Sequence, residues 1–499
     1  MKLDKHVLFE NSFVDLDTLT QYIQSADVYV TPYVSEDQIV SGTLAYAVGI
    51  GAVTVSTPYW YAKEILADGR GRLVPFADSK EMTREINDLL DHEDIALIMR
   101  KKCYQHGRSM IWSKVAQDYI EHTAKAMERT VDRPIPQYFE RPDVRIIKEL
   151  PDFNLQHMKV MTDDTGILQH AKYSIPDRTH GYCVDDNARA LIVVSKYYWL
   201  LKEKSVIPLI QTYLSFLHYS FNPENGRFRN FMSYDRRWLE EVGSEDSHGR
   251  SLWGLGVAIQ CAPNDAVRNM AVSLFLNGLQ AVEEFISPRA WAFATVGLHA
   301  YMSHFGGDAN ARRVRTHLSE KLVALFKNRT LDDWQWCEDT VTYANAKLPH
   351  ALILAGQWIP DAEMYEMGIA ALRWLLDKQT AAEGHLSIIG NSNWGKRECK
   401  TSLFDQQPLE AMSLIDACAE AFRATGNIEW LEEGHRCLGW FMGRNDLNKQ
   451  IYDFNTGGCC DGLEATGVNA NQGAESTLSW LISLLTMYEI LEQKILVDK

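Results

Sequence analysis

The chain has no CxxC pair among its nine cysteines and no long apolar run. It is also short of positive charge, with 50 Lys and Arg against 66 Asp and Glu. Each shortage excludes something. The adjacent pair Cys459-Cys460 cannot readily bridge to itself, and no metal-ligand spacing stands out, so neither a disulfide framework nor a metal centre is expected. A formal net charge of −16 leaves no basic face for phosphates, which argues against nucleic acid as a partner. With no signal peptide and no membrane span in the sequence, a cytoplasmic, soluble protein is expected.

What the chain does have is length and aromatics. Its 499 residues exceed one ordinary core, so more than one domain is expected. Fourteen Trp and 21 Tyr are enough to serve both core packing and sugar-binding surfaces.

Residues 1–130 alternate short apolar strands with helices. Strands are read at His6–Phe9, Val28–Val30, Val53–Val55 and Arg72–Phe76, with helices between and after them. Repeated βα units imply a parallel sheet with ligands at the carboxyl ends of its strands. Small residues Ser41-Gly42-Thr43 at a helix start after Val30 can bring backbone N–H groups to a phosphate. Residues 131–152 carry four prolines among charges and read as a linker.

The stretch Ala26-Asp27-Val28-Tyr29-Val30-Thr31-Pro32, the helix Leu44–Gly49, the strand Val53–Pro58 and Gly69–Pro75 together resemble the nucleotide-sugar half of family 4 (group 1) glycosyltransferases. Those enzymes have the two-Rossmann GT-B fold. The resemblance implies a single Rossmann-like GT-B half domain, with Glu36, Ser41, Gly42 and Thr43 as the nucleotide-sugar-binding residues. It implies a nucleotide sugar as donor substrate, and no other cofactor. Leu44 stands where the family's second donor-site Glu would be. The chain reads as starting inside the second Rossmann domain, which leaves two expectations: a separate chain as a partner that supplies the missing half, or a longer protein of which this is an N-terminally shortened version.

Residues 153–495 show eleven or twelve helical segments, with tight turns on one side and long Gly-, Asn- and aromatic-rich connections at 220–248, 380–405 and 445–471. The pattern predicts an (α/α)6 toroid with a funnel at one end, so the whole is multidomain, α/β plus all-α. It resembles the toroids of glycoside hydrolases and sugar epimerases, which implies an oligosaccharide or glycan as ligand.

Five acidic or amide clusters precede predicted helices and form the expected rim. Glu338 and Asp339 are the acid candidates, because Trp334, Trp336 and Cys337 beside them could desolvate a carboxyl. Asp185, Asp186, Glu245 and Asp246 are the base candidates, with one of Asp185 and Asp186 expected to cap its helix. Asp405 and Glu475 follow. Arg189, Arg250, Asn345, Gln406 and Gln472 are expected to orient hydroxyls, Trp291 and Trp336 to line the mouth, and His180 or His248 to shuttle a proton in an epimerase. Three readings stay open: a protein of transferase ancestry with glycan in the funnel, a hydrolase or epimerase working in the toroid, and a non-catalytic glycan binder.

Overall fold

The computed structural model describes residues 6–12, 14–36, 38, 40–129, 150–331, 334–359, 361–397 and 401–497. It divides into two compact units, Met1–Val131 and Asp132–Lys499. Most of the expected linker, residues 131–152, lies outside the described residues. Among the described residues no helix is long and apolar enough to cross a membrane.

The first unit is built on a three-stranded parallel sheet, β1 (Tyr29–Thr31), β2 (Thr54–Ser56) and β3 (Arg72–Leu73), in the order β1-β2-β3. Its helices are α1 (Leu16–Ser25), α2 (Gly42–Ile50), α3 (Trp60–Ile65), α4 (Ser79–Asp91), α5 (Glu93–Gly107) and α6 (Trp112–Arg129). Helix α2 is almost wholly apolar and lies in the core, with Leu44 and Val48 fully buried beside Val53 and Val55. It stops at Gly51, whose φ of 79° only glycine adopts without cost. The strand expected at His6–Phe9 is absent from residues 7–12. Leu8 and Phe9 face solvent with no neighbouring strand to bond, so an apolar triplet alone does not make a strand.

The second unit is a double ring of helices. Its inner helices are α8 (Val184–Leu201), α10 (Glu245–Gln260), α12 (Pro288–Met302), α14 (Lys347–Trp358), α16 (Pro408–Thr425) and α18 (Ala474–Val497). Each packs on the next, and α18 returns to α8, closing the circle. The outer ring is α9 (Ile207–Ser220), α11 (Asp265–Leu279), α13 (Ala309–Arg329), α15 (Ala362–Lys378), α17 (Ile428–Phe441) and the short α7 (Gln156–Val160), which packs on α18.

Burial explains the order. Inner helices are covered on nearly every side, as in the unbroken buried run Asp246–Ile259 of α10, whereas outer helices such as α15 bury only one stripe. Tight turns such as Gly426-Asn427, with Gly426 at φ 62°, join α16 to α17, while the connections entering the inner helices are long. One of them is the hairpin β4 (Leu168–Lys172) and β5 (Ile175–Cys183), which runs directly into α8. The helix expected directly after the Glu338-Asp339 cluster begins only at Lys347. Ahead of it Ala344 sits at φ 45° and the Asn345 amide oxygen accepts the Thr342 N–H at 3.0 Å, which holds residues 342–345 in a loop.

Candidate active site

The amino ends of the inner helices share one polar floor. At α8 the cap is the sulfur of Cys183, and both Asp185 and Asp186 fall in the first turn, where the helix dipole favours carboxylates. Asp186 is buried; it accepts the Cys183 S–H at 3.0 Å and Arg189 Nη1 at 2.9 Å. The other arm of Arg189 donates to Glu475 of α18 at 2.7 Å. One buried guanidinium therefore joins a buried carboxyl to one whose side chain is 43% exposed. Burial raises the Asp186 carboxyl to about 7 despite Arg189, and the charges of Glu475 and Asp185 add to the rise.

The same device repeats around the ring. Arg250 of α10 donates to Asp185 at 3.1 Å and lies 3.9 Å from Asp246, which also accepts the Tyr343 hydroxyl at 2.6 Å. Arg289 of α12 donates to Glu338 at 2.9 Å, to Thr342 at 2.6 Å and to Asn345 at 3.1 Å. Asn345 in turn donates to Glu410 of α16 at 2.9 Å, and burial raises the Glu410 carboxyl. Asp461, which binds the Gly473 N–H and the Ser476 hydroxyl at the start of α18, is raised to about 6, chiefly by burial.

Of the residues expected at the rim, the structure thus brings together Asp185, Asp186, Arg189, Asp246, Arg250, Glu338, Asn345 and Glu475. It places the others elsewhere. Asp339 is 82% exposed beside Arg329, outside this network. Trp336 is fully buried against Phe326 and Trp374, in the layer of outer helices, so it does not line the mouth. Trp291 turns its N–H to the Phe285 carbonyl and its face to Lys321 of α13. Glu245 accepts the Ile286 and Ser287 N–H groups and so ties α10 to the start of α12. His248 is sealed between Phe228 and Phe285 with Nε2 on the Gly278 carbonyl, and burial lowers it to about 3. His180 is exposed, its ring 4.7 Å from that of His170. Gln406 is held by Trp440 and Asp446, and Asp405 holds a φ of 64° with its backbone bonded to Asn391 and Leu463. Gln472 braces Thr456 and Asp453.

The sequence reading missed Arg289, Glu410, Tyr343 and Asp461. The first two had a signal, since each follows a proline at a helix start, in Ser287-Pro288-Arg289 and Gln407-Pro408-Leu409-Glu410. No His, Cys, Asp and Glu group suited to a metal occurs among the described residues.

In the first unit, Ser41 caps α2 by accepting the Leu44 N–H at 3.3 Å and lies 3.3 Å from the Thr43 hydroxyl. Glu36 is paired with Lys63 at 2.6 Å. A methyl group built on Gly42 would meet nothing within 4 Å, so this helix start is open.

Residues 2–92 match the sequence profile of the family described as Glycosyl transferases group 1. No curated protein matches the chain. Among solved structures, a sugar epimerase from a ruminal bacterium superposes with a TM-score of 0.53 at 11% identity, covering 68% of this chain and 95% of that one. The cellobiose 2-epimerase of Bacillus thermoamylovorans gives 0.54 at 12% identity, covering 68% and 96%. A D-mannose isomerase gives 0.52 at 10% identity, with the same coverage. At such identities the likeness is one of fold, so the chain joins a segment like group 1 glycosyl transferases to an (α/α)6 toroid.

Proposed function

We propose that the protein is carbohydrate-active and that its toroid takes a neutral saccharide into the funnel and hydrolyses a glycosidic bond. Its first 92 residues carry glycosyltransferase ancestry. The observation that carries the hydrolytic reading is Arg189, which holds a carboxyl raised to about 7 and an exposed one on a single guanidinium. Hydrolysis needs that difference: one protonated carboxyl and one free carboxylate. Asp186 gives its proton to the glycosidic oxygen as the bond from that oxygen to the anomeric carbon breaks. Glu475 takes a proton from the water whose oxygen bonds to that carbon. Proton and electron pairs balance, leaving two sugars with free hydroxyls.

Charge supports an uncharged substrate. Seven carboxyl groups, Asp185, Asp186, Asp246, Glu338, Glu410, Asp461 and Glu475, surround three guanidiniums, Arg189, Arg250 and Arg289, each of which already has a carboxylate partner. None of these three arginines is left over for an anionic sugar. Of the two histidines expected to shuttle a proton in an epimerase, His248 is sealed in the core and His180 lies beside His170 in the β4–β5 hairpin.

The test is product release from a panel of manno- and gluco-oligosaccharides by wild type, Asp186→Asn and Glu475→Gln. Loss of a catalytic acid or base costs about a hundredfold or more in turnover. Unchanged turnover in both variants, or none by wild type on any member of the panel, removes the hydrolytic reading.

A further inference from the structure

A cavity of about 470 Å3 lies between the tip of the β4–β5 hairpin and the loop 450–472. None of the funnel carboxyls lines it. Its surface offers two exposed aromatic rings, Tyr173 at 64% and Phe454 at 50%, with Gln450, Asn455 and Gln472 around them. Large rings left in water at a concave surface are unusual for packing residues, and both are held in place. The Tyr173 backbone is bonded on both sides, its N–H to the Asn471 side chain and its carbonyl to the Gln472 N–H, each at 2.9 Å, with φ at 54°. Phe454 packs edge-on against Tyr452, 4.8 Å away.

The lining is also electrically quiet. Its one charged group, Asp453, is already bonded to the Asn455 N–H at 2.9 Å and to the Gln472 amide at 3.1 Å. Aromatic faces and amides without an unpaired charge match a neutral polyol, which presents C–H faces to rings and hydroxyls to amides. The elements that build the groove also build the funnel: β5 ends at Cys183, the cap of α8, and Gln472 precedes Glu475 by three residues.

We infer that this groove is a second saccharide subsite, which holds the distal part of a neutral oligosaccharide whose other end enters the funnel between α18 and α8. The inference rests on the reading of the funnel as a saccharide site for its direction, but the groove's own lining carries its ligand class.

The test is calorimetric titration of the full chain, in an Asp186→Asn background so that ligand is not consumed, with cellobiose, mannobiose, cellohexaose and mannohexaose. The variant Tyr173→Gly/Phe454→Ala removes both rings while keeping the left-handed turn, and Tyr173→Phe/Phe454→Tyr keeps the rings. The expected result is about tenfold weaker hexaose binding in the first variant, unchanged disaccharide binding, and full affinity in the second. Equal hexaose affinity with and without the rings overturns the groove and leaves the funnel reading standing. Hexaose binding that depends on the rings, without any disaccharide binding, upholds the groove and removes the funnel site. No binding of any probe overturns both, and an unaltered melting temperature in the first variant ensures that its loss is not one of folding.

Discussion

In the proposed hydrolysis Asp186 is the acid because its surroundings disagree about its charge. Burial favours the neutral acid, Arg189 favours the carboxylate, and the charges of Glu475 and Asp185 tip the balance upward to about 7. As the proposed acid it must be protonated, so turnover is expected to fall as pH rises through about 7. Replacing Asp185 by Asn removes one of the raising charges. The alkaline limb of the kcat/KM profile then moves to lower pH, and a limb that stays in place would show that another group sets it. His248 gives the opposite kind of signal. Its imidazole is lowered to about 3 when folded, against 6.5 as a free side chain, so only the unfolded chain takes up the proton between those values. The stability it contributes is present in full above about 6.5 and is lost as pH falls toward about 3, by up to about 5 kcal/mol. Melting temperatures followed from pH 7 down to pH 4 should therefore drop less in His248→Gln than in wild type, although that variant is less stable at neutral pH.

Helices were readable and their mouths were not, for a physical reason. Inner and outer helices repeat apolar residues every three to four positions over ten or more residues, and that local period is enough to mark most of them. Acidic starts announced α8 and α10 correctly. Ahead of α14 the same cue misled, because Trp336, Cys337 and Glu338 lie in a loop whose successive side chains point to different layers: Trp336 to the outer helices, Glu338 to Arg289. The Arg189–Glu475 pair spans 286 residues, and no local pattern encodes it. Helix packing adds a requirement that sequence shows only as scattered glycine. Along the α10 and α12 contact, a methyl group on Gly256 would run into the backbone carbonyl of Gly297, and one on Gly297 would lie 2.5 Å from the Leu252 carbonyl. The two helices thus touch backbone to backbone. Gly256→Ala should cost about 1 to 3 kcal/mol in urea unfolding, because overpacking outweighs the better helix propensity of alanine. A gain in stability would mean that the ring spreads to admit the methyl group.

The toroid closes with a piece taken from its beginning. Five outer helices follow their inner partners in sequence, but α18 is backed by the five-residue α7, which comes before all of them. The contacts are specific: His157 Nε2 reaches the Gln472 carbonyl at 2.7 Å, Phe153 packs on Tyr488 of α18 with ring centres 4.6 Å apart, and the Tyr488 hydroxyl donates to the Pro151 carbonyl at 3.2 Å. Leu155, Met158 and Met161 belong to the toroid's apolar cluster, which is separate from the clusters of the first unit. Closure therefore depends on residues 150–161, and the first unit is not needed to complete that core. A chain of residues 150–499 is expected to melt in one transition and to keep whatever oligosaccharide binding the full chain has. A chain of residues 162–499 loses three buried apolar side chains, each worth about 2 to 5 kcal/mol, together with the bond that His157 makes to the turn before Glu475. It should melt well below the longer chain and lose the binding. Equal melting temperatures for the two would show that the ring of inner helices is stable without its sixth outer member.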